Sequence, residues 1–581
     1  MAAGARRSPN RGSAAYDHWV ISAAASEATS GEPAAAGVTT RPASPAALGS
    51  TETDPTGRSR SDGVDPTGGA AAHSAGEGAL PAVLRRRLAP LDSWLEPWSW
   101  LATVVVVVIA GVLRLLNLSH PPGLIFDEVY YANEGNELLA YGFEWDETNN
   151  TPAYVVHPPL GKWIISIGIR IFDFTEFGWR ISAAVTGILM VLIITRTARR
   201  LFRSTALGCA AGLLLALDGF HLVLSRTALL DIFLAFFVLA GFAALVVDRD
   251  WTRRRWLRAI DNGLDPSQPG RAGRPPFGVP WWRLLAAVLL GCGLAVKWSA
   301  LWFIPVFGLL VLLWEVGARR SAGVRRPWRD TVVDEAGWFV LCAGLILGTY
   351  IVSWSGWLGT DGGYLRHYRA DNGMSEPPFL GALQNLWHYH TQAYGFHSTL
   401  ETEHRYQSWP WQWLLLGRPV AFHWTDQAAC GAPSCAEEVL LLGTPLLWWS
   451  FLPALAALLW LGVARRDWRA GAILAGAGAG LLPWFYYAAD DRTMFSFYTA
   501  PALPFLVLAV TYVLGAIVTP YGQPAVSDPT GSDRRMVGAV IVGAYLLLVA
   551  ICFAYFYPIF VGEALPYEDW SSRMWLGGRW I

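Results

Sequence analysis

Charge is what this sequence has least of. Only 15% of its 581 residues are Asp, Glu, Lys or Arg, where a soluble domain carries about 25%. That shortage, with 53% hydrophobic residues, excludes an ordinary soluble globule and points to a chain that crosses a membrane repeatedly. The net charge of −1 gives no electrostatic case for nucleic acid. Lysine is scarcer still: Lys162 and Lys297 are the two, and every other basic residue is arginine. Of six cysteines, Cys209, Cys292, Cys342 and Cys552 lie in apolar runs and read as small core residues. Cys430 and Cys435 share the polar loop "CGAPSC". No second close pair accompanies them, so zinc-like spacing is absent. In an oxidising compartment these two are expected to pair. No P-loop is present, and no GxGxxG follows a strand, so energy for any transfer must arrive already built into a donor. No apolar stretch follows the initial "ARR", which argues against a signal peptide.

What the sequence does have is apolar runs of spanning length. Residues 1–90 are rich in Ala, Gly, Ser, Pro and Thr and are expected to be a disordered cytoplasmic tail. After them, apolar segments fall near 95–116, 179–197, 205–224, 227–247, 281–299, 300–317, 336–356, 439–462, 470–489, 495–518 and 536–558. They predict an all-α polytopic membrane protein with about eleven transmembrane helices in one domain, residues 91–581. The arginine-rich connections "RTARRLFR", "DRDWTRRRWLR", "ARRSAGVRRPWR", "RRDWR" and "SDRR" then share a side with "LRRRLAP". By the positive-inside rule that side is cytoplasmic. The two long outer loops, 117–178 and 357–438, and the C-terminus are therefore expected outside. Within the first loop, "PPLGKWIISIGIRIF" is too short to span and reads as an interfacial helix begun by its prolines.

The outer connections carry the chemistry-bearing residues. "LIFDEVYYANEG" sets Asp127 and Glu128 side by side among aromatics just past the first span. A solvated loop pair is the plain reading; a half-dry carboxylate able to act as a general base is the sharper one. "LVLSRTALLDIFLAFF" places Arg226 and Asp231 at a membrane boundary, where charge is costly. They read either as a structural Arg–Asp pair or as part of an anion site, since guanidinium forks suit phosphate. "AVKWSALWF" holds Lys297 at a helix end, "HPPLGK" holds His157 and Lys162, and "DDRTMFSFYTAPALPF" holds Arg492. Snorkelling to the interface is the plain reading for the lysines. Arg319, by contrast, reads as a residue of a solvated cytoplasmic loop.

The ordered set "FDEVYYA", "HPPLGK", "LSRTALLD", "VKWSALW" and "RTMFSFY" resembles the protein O-mannosyltransferases, over roughly residues 95–581. The resemblance implies a GT-C fold with interfacial helices in a long first outer loop. It implies transfer of mannose from a polyprenyl-phosphate-mannose donor to Ser/Thr hydroxyls of exported proteins, on the extracytoplasmic face, by an inverting single displacement. Asp127 would be the catalytic base, with Glu128 assisting by holding acceptor or donor sugar. Arg226, with Lys297, would bind the donor phosphate; His157, Lys162, Asp231 and Arg492 match motifs without assigned roles. No metal is implied, because cationic side chains can balance the phosphate. The partners implied are the lipid-linked donor, exported Ser/Thr-rich proteins, membrane lipid and, by way of export, the secretion translocon. Eukaryotic relatives carry a β-trefoil MIR domain in the loop that corresponds to 357–438, which is too short for one here. Two other classes remain: a GT-C enzyme acting on a lipid or cell-wall glycan, and a transporter of lipid-linked sugars. Polar residues at helix ends rather than at mid-membrane weigh against the transporter.

Overall fold

A computed structural model describes residues 82–91, 97–519 and 529–580. Most of the expected tail lies outside the described residues. Its last part does not behave as a tail: Ala82–Leu88 is a helix (α1), and Leu88 is fully buried against Trp256 and Ala318. The two apolar residues of "AVLRRRL" that flank its arginines give this short helix a face to bury.

The principal helices follow the apolar runs. They are α2 (Pro97–Leu115), α5 (Glu176–Phe202), α6 (Thr205–Ala216), α7 (Gly219–Leu224), α8 (Leu230–Asp261), α9 (Trp281–Val296), α10 (Phe303–Ala322), α11 (Pro327–Ser353), α13 (Phe451–Arg465), α14 (Trp468–Ala488), α15 (Leu503–Val518) and α16 (Pro529–Val561). Three more lie in the long connections: α3 (Glu128–Tyr141), α4 (Leu160–Phe172) and α12 (Leu380–Ser398). Among the described residues, seven helical segments are long and apolar enough to cross a membrane: 97–115, 176–202, 230–261, 298–322, 327–353, 445–465 and 533–561. Shorter apolar helices fill 205–216, 281–296 and 503–518. Polar side chains set several starts. Thr175 accepts a hydrogen bond from the N–H of Gly178, Ser204 from Leu207, and Asp218 from His221, each satisfying a donor the helix leaves open.

α8 sits at the centre: the most apolar stretch of this helix is largely buried, whereas α11 and α16 expose most of theirs. A helix apolar all round and buried is a core helix, while the exposed apolar faces suit lipid.

The chain is not all-α. Val420–Thr425 (β3) and Cys435–Leu441 (β4) form an antiparallel hairpin extended by Leu565–Pro566 (β5), and Trp145–Asp146 (β1) pairs with Thr151–Pro152 (β2). "VAFHWT" alternates buried and part-exposed positions along most of its length, the period of a strand packed on one face, too short for the helix period to show against it. Cys430 and Cys435, in the turn of this hairpin, are disulfide-bonded.

Candidate functional site

Six connections and helix ends converge at one end of the bundle. Asp127 follows α2 and is the N-cap residue of α3. Asp231 lies in the first turn of α8, and Lys297 directly follows α9. His157 precedes α4, His397 lies near the end of α12, and Arg492 follows α14. The helix ends thus bring together residues up to 365 positions apart (492 − 127).

The adjacent acid pair is split into two unlike carboxylates. Glu128 is fully buried and saturated. Arg180 donates to it through a two-point fork, Nε to Oε1 at 2.9 Å and Nη2 to Oε2 at 2.8 Å. The backbone N–H groups of Ile125 and Ala228 donate to the same carboxylate. Arg180 spends its remaining donors on the carbonyls of Leu118, Pro121 and Gly123. Glu128 therefore ties the first outer loop to α5 and to the start of α8, and it has no lone pair left for a sugar. Its expected role in holding substrate gives way to an architectural one.

Asp127 is the opposite. Its carboxylate has no hydrogen-bond or ion-pair partner among the described residues, and it keeps part of its surface open. Burial pushes its pKa up to about 7; Lys297 pulls it down, and Asp231 and Glu134 push it up. A carboxylate poised near neutrality with free lone pairs is suited to take a proton. The residue before it, Phe126, has φ +46°, a left-handed conformation that costs of order 1 kcal/mol or more for a bulky residue and turns the chain into α3, where Asp127 and Glu128 follow one another on the helix.

Lys297 donates to Asp231 at 2.7 Å and sits 5.5 Å and 5.7 Å from the ring centres of Phe497 and Tyr498. Asp231 therefore pairs with Lys297, not with Arg226. Arg492 is buried, with its guanidinium 5.8 Å from the Tyr498 ring and its Nε donating to the carbonyl of His397. The imidazole of His397 stacks on that of His157, 5.2 Å between ring centres. Burial holds both imidazoles in the neutral range, His397 down to about 4, helped at His157 by Lys297. These two rings can exchange hydrogen bonds with a substrate but bring no positive charge.

Two expected site residues are drawn into the scaffold. Arg226 donates to the carbonyls of Leu113, Arg114, Leu116 and Asn117. These include orphan acceptors at the end of α2, so its fork is occupied by a helix end rather than open to phosphate. Lys162 is fully buried between Glu144 at 2.8 Å and Glu134 at 3.1 Å. The cations left at the site are Lys297 and Arg492. The sequence reading did not find Arg180, His397 or Tyr498. Arg180 offered a signal, being an arginine in the first turns of an apolar helix; His397 and Tyr498 sit among too many other aromatics to stand out.

A carboxylate with a raised pKa beside buried cations, at the ends of apolar helices, suits group transfer by a membrane enzyme. Residues 104–265 match the family model described as dolichyl-phosphate-mannose-protein mannosyltransferase. Residues 382–580 match the C-terminal four TMM region of protein-O-mannosyltransferase. A protein of Mycolicibacterium smegmatis named polyprenol-phosphate-mannose–protein mannosyltransferase is 40% identical over 84% of this chain and 93% of its own length. A Corynebacterium glutamicum protein of the same name is 33% identical over 84% and 94%. In fold, the chain is similar to the Saccharomyces cerevisiae protein O-mannosyltransferase Pmt1–Pmt2 complex bound to the sugar donor. The TM-score is 0.65 with 14% identity, covering 85% of this chain and 94% of that one. The chain belongs to the protein O-mannosyltransferase family.

Proposed function

We propose that this chain transfers mannose from polyprenyl-phosphate mannose to hydroxyl groups of proteins. The relatives' shared name supports a protein acceptor over a lipid or glycan acceptor and over transport. The observation that carries the mechanism is the unpartnered Asp127 carboxylate facing the Lys297–Asp231 pair.

The acceptor hydroxyl approaches the anomeric carbon from the face opposite the phosphate. Asp127 removes its proton as the new C–O bond forms and the bond from carbon to phosphate oxygen breaks. One displacement inverts the anomeric centre. Lys297 and Arg492 take up the charge that grows on the departing phosphate. Asp231 holds Lys297 in place, and the neutral pair His157 and His397 offers hydrogen bonds to sugar or acceptor. No step requires a metal, since two cations face the leaving group. About eleven membrane crossings are read from the apolar runs, and the arginine-rich connections put the N-terminus in the cytoplasm and the site and C-terminus outside; Ser/Thr-rich exported segments are the acceptors that such a placement meets. No MIR domain is needed in this scheme, because the loop 357–438 supplies His397 to the site itself.

The test is transfer of labelled mannose from polyprenyl-phosphate mannose to a Ser/Thr-rich peptide in membranes with matched protein levels. Asp127→Asn is expected to lower the rate by about 10²–10⁴ while leaving donor binding intact. Near-normal transfer by Asp127→Asn would remove the base; transfer by the unaltered chain to a lipid or glycan alone would remove the protein acceptor.

A further inference from the structure

Among the described residues Asp127 has no side-chain partner to hold it, so its position depends on the backbone turn at Phe126. One side of that turn is held by Glu128 and Arg180. The other is held by the β3–β4 hairpin, through two neighbouring residues of β3. The Phe422 ring stacks on Phe126, 4.4 Å between centres and 8° between planes, and Phe497 closes the far side edge-on at 6.0 Å. The next residue, His423, sends Nε2 to within 3.3 Å of Glu437 Oε1, and the same oxygen lies 3.4 Å from His120 Nε2 of the first outer loop. The His120 imidazole also bonds the carbonyl of Gly562 after α16.

Consecutive residues of a regular strand point to opposite faces, yet Phe422 stacks on Phe126 of the first outer loop and His423 meets Glu437, the residue that reaches the same loop at His120. The register explains it. Ala421 opposes Leu440 and His423 opposes Val439, so Phe422 is an extra residue, a β-bulge. Bulges re-aim side chains and recur beside active sites.

Resting on the base assignment above, we infer that Phe422 is a positioning residue for Asp127. The bulge turns its ring onto Phe126 and keeps the strained turn, and with it the carboxylate, in place. Glu437, beside His423 within the hairpin, meets His120 of the loop at a second point.

The experiment uses the full chain in detergent, with polyprenyl-phosphate mannose and a Ser/Thr-rich peptide. It reads kcat, KM for the donor, and the pH at which kcat falls on the acid side. The titratable and charged groups facing Asp127 are Lys297, Asp231, Glu134 and Tyr131, and none is altered. Phe422→Leu keeps the bulk but loses the stacked ring. It is expected to lower kcat by about 10²-fold with donor KM unchanged. It is also expected to move the acid limb to lower pH, because a carboxylate released toward water returns toward its ordinary range. Phe422→Tyr, which keeps the ring, is expected to retain both. A kcat close to that of the unaltered chain would overturn the inference, and so would a lower kcat with an unmoved limb, the signature of mere loss of folded protein. Should Phe422→Leu fail to fold, Glu437→Gln loosens the same grip from the partner strand and is judged by the same two readouts. Asp127→Asn, measured alongside, tests the base assignment by itself: near-normal transfer by that variant removes the base, whereas lost transfer by Asp127→Asn with an unaffected Phe422→Leu removes only the positioning role.

Discussion

At the end of the bundle remote from Asp127, charges are also buried, but a cluster of them is paired into a lattice. Arg283 donates to Asp248, Glu315 and Glu335 at 3.0, 2.6 and 2.6 Å. Arg319 donates to Glu315 and Glu335 at 2.7 and 2.9 Å, and Thr252 adds a hydroxyl to Glu315. Arg319 is thus a buried member of a lattice joining α8, α9, α10 and α11, not the solvated loop residue its surroundings in sequence suggest. Each of the three carboxylates has at least one guanidinium. At the Asp127 end the same device recurs, at Lys162 with Glu134 and Glu144, at Lys297 with Asp231 and, in the acid pair itself, at Glu128 with Arg180. Its neighbour in sequence has nothing. The lattice spends every charge on holding helices together; the site spends one carboxylate on holding and leaves the other available for chemistry.

The sharpest way to test that contrast is to neutralise each member of the acid pair and ask what is lost. Asp127→Asn removes a proton acceptor that holds nothing, so transfer should fall by about 10²–10⁴. The variant should melt no lower than the unaltered chain above pH 7. There the sign is clear: a carboxyl whose folded pKa is raised loses stability for the fold as pH rises through the window from its ordinary value to about 7, and Asn escapes that cost. Glu128→Gln does the reverse. It leaves Arg180 buried without its counter-charge, which typically costs ~3–5 kcal/mol, so the melting temperature should drop. Activity per folded molecule should drop less than in Asp127→Asn. A stable Glu128→Gln with normal melting would break the comparison.

The membrane helices were legible from apolar runs alone, because spanning length is a one-dimensional property. The acid pair was legible too, as was Lys297, since lysine is nearly absent elsewhere. What could not be read is which charge meets which. Arg226 looked like a phosphate fork because it sits at a costly depth, but the helix end it serves lies about 110 positions earlier in the chain. Lys162 looked as exposed as Lys297 until α3 and α4 packed together around it. The hairpin was hidden in a loop rich in Trp and His, and its bulge depends on register, which pairing decides and composition does not. Long-range partners decide between scaffold and site, and sequence spacing is silent on them.

A smaller effect follows from pH. Transfer needs Asp127 ionised, so kcat should fall about tenfold per pH unit once pH drops below about 7 and stay level above it. Lys297 is the group that lowers this pKa. Lys297→Met should therefore move the acid limb upward while weakening use of the donor. A limb that stays put in Lys297→Met would mean that the two groups do not sense one another, and the site as drawn would be wrong.

The smallest expected effect separates Arg226 from the proposed site. If its guanidinium serves the end of α2, Arg226→Ala leaves carbonyls of Leu113, Arg114, Leu116 and Asn117 short of a donor. Unmet buried acceptors cost ~1–3 kcal/mol, and water at a helix end can recover part of that. Melting temperature should fall modestly, while donor KM in the remaining folded protein stays near that of the unaltered chain. Arg492→Ala should do the opposite, with donor KM rising and a smaller change in melting, since Arg492 bonds only two carbonyls and faces Tyr498. Measuring both variants side by side, in the same membranes and at one pH above 7, sets a scaffold arginine against a site arginine directly. A large rise in donor KM for Arg226→Ala with unchanged melting would return Arg226 to the phosphate and leave the end of α2 to be satisfied by water.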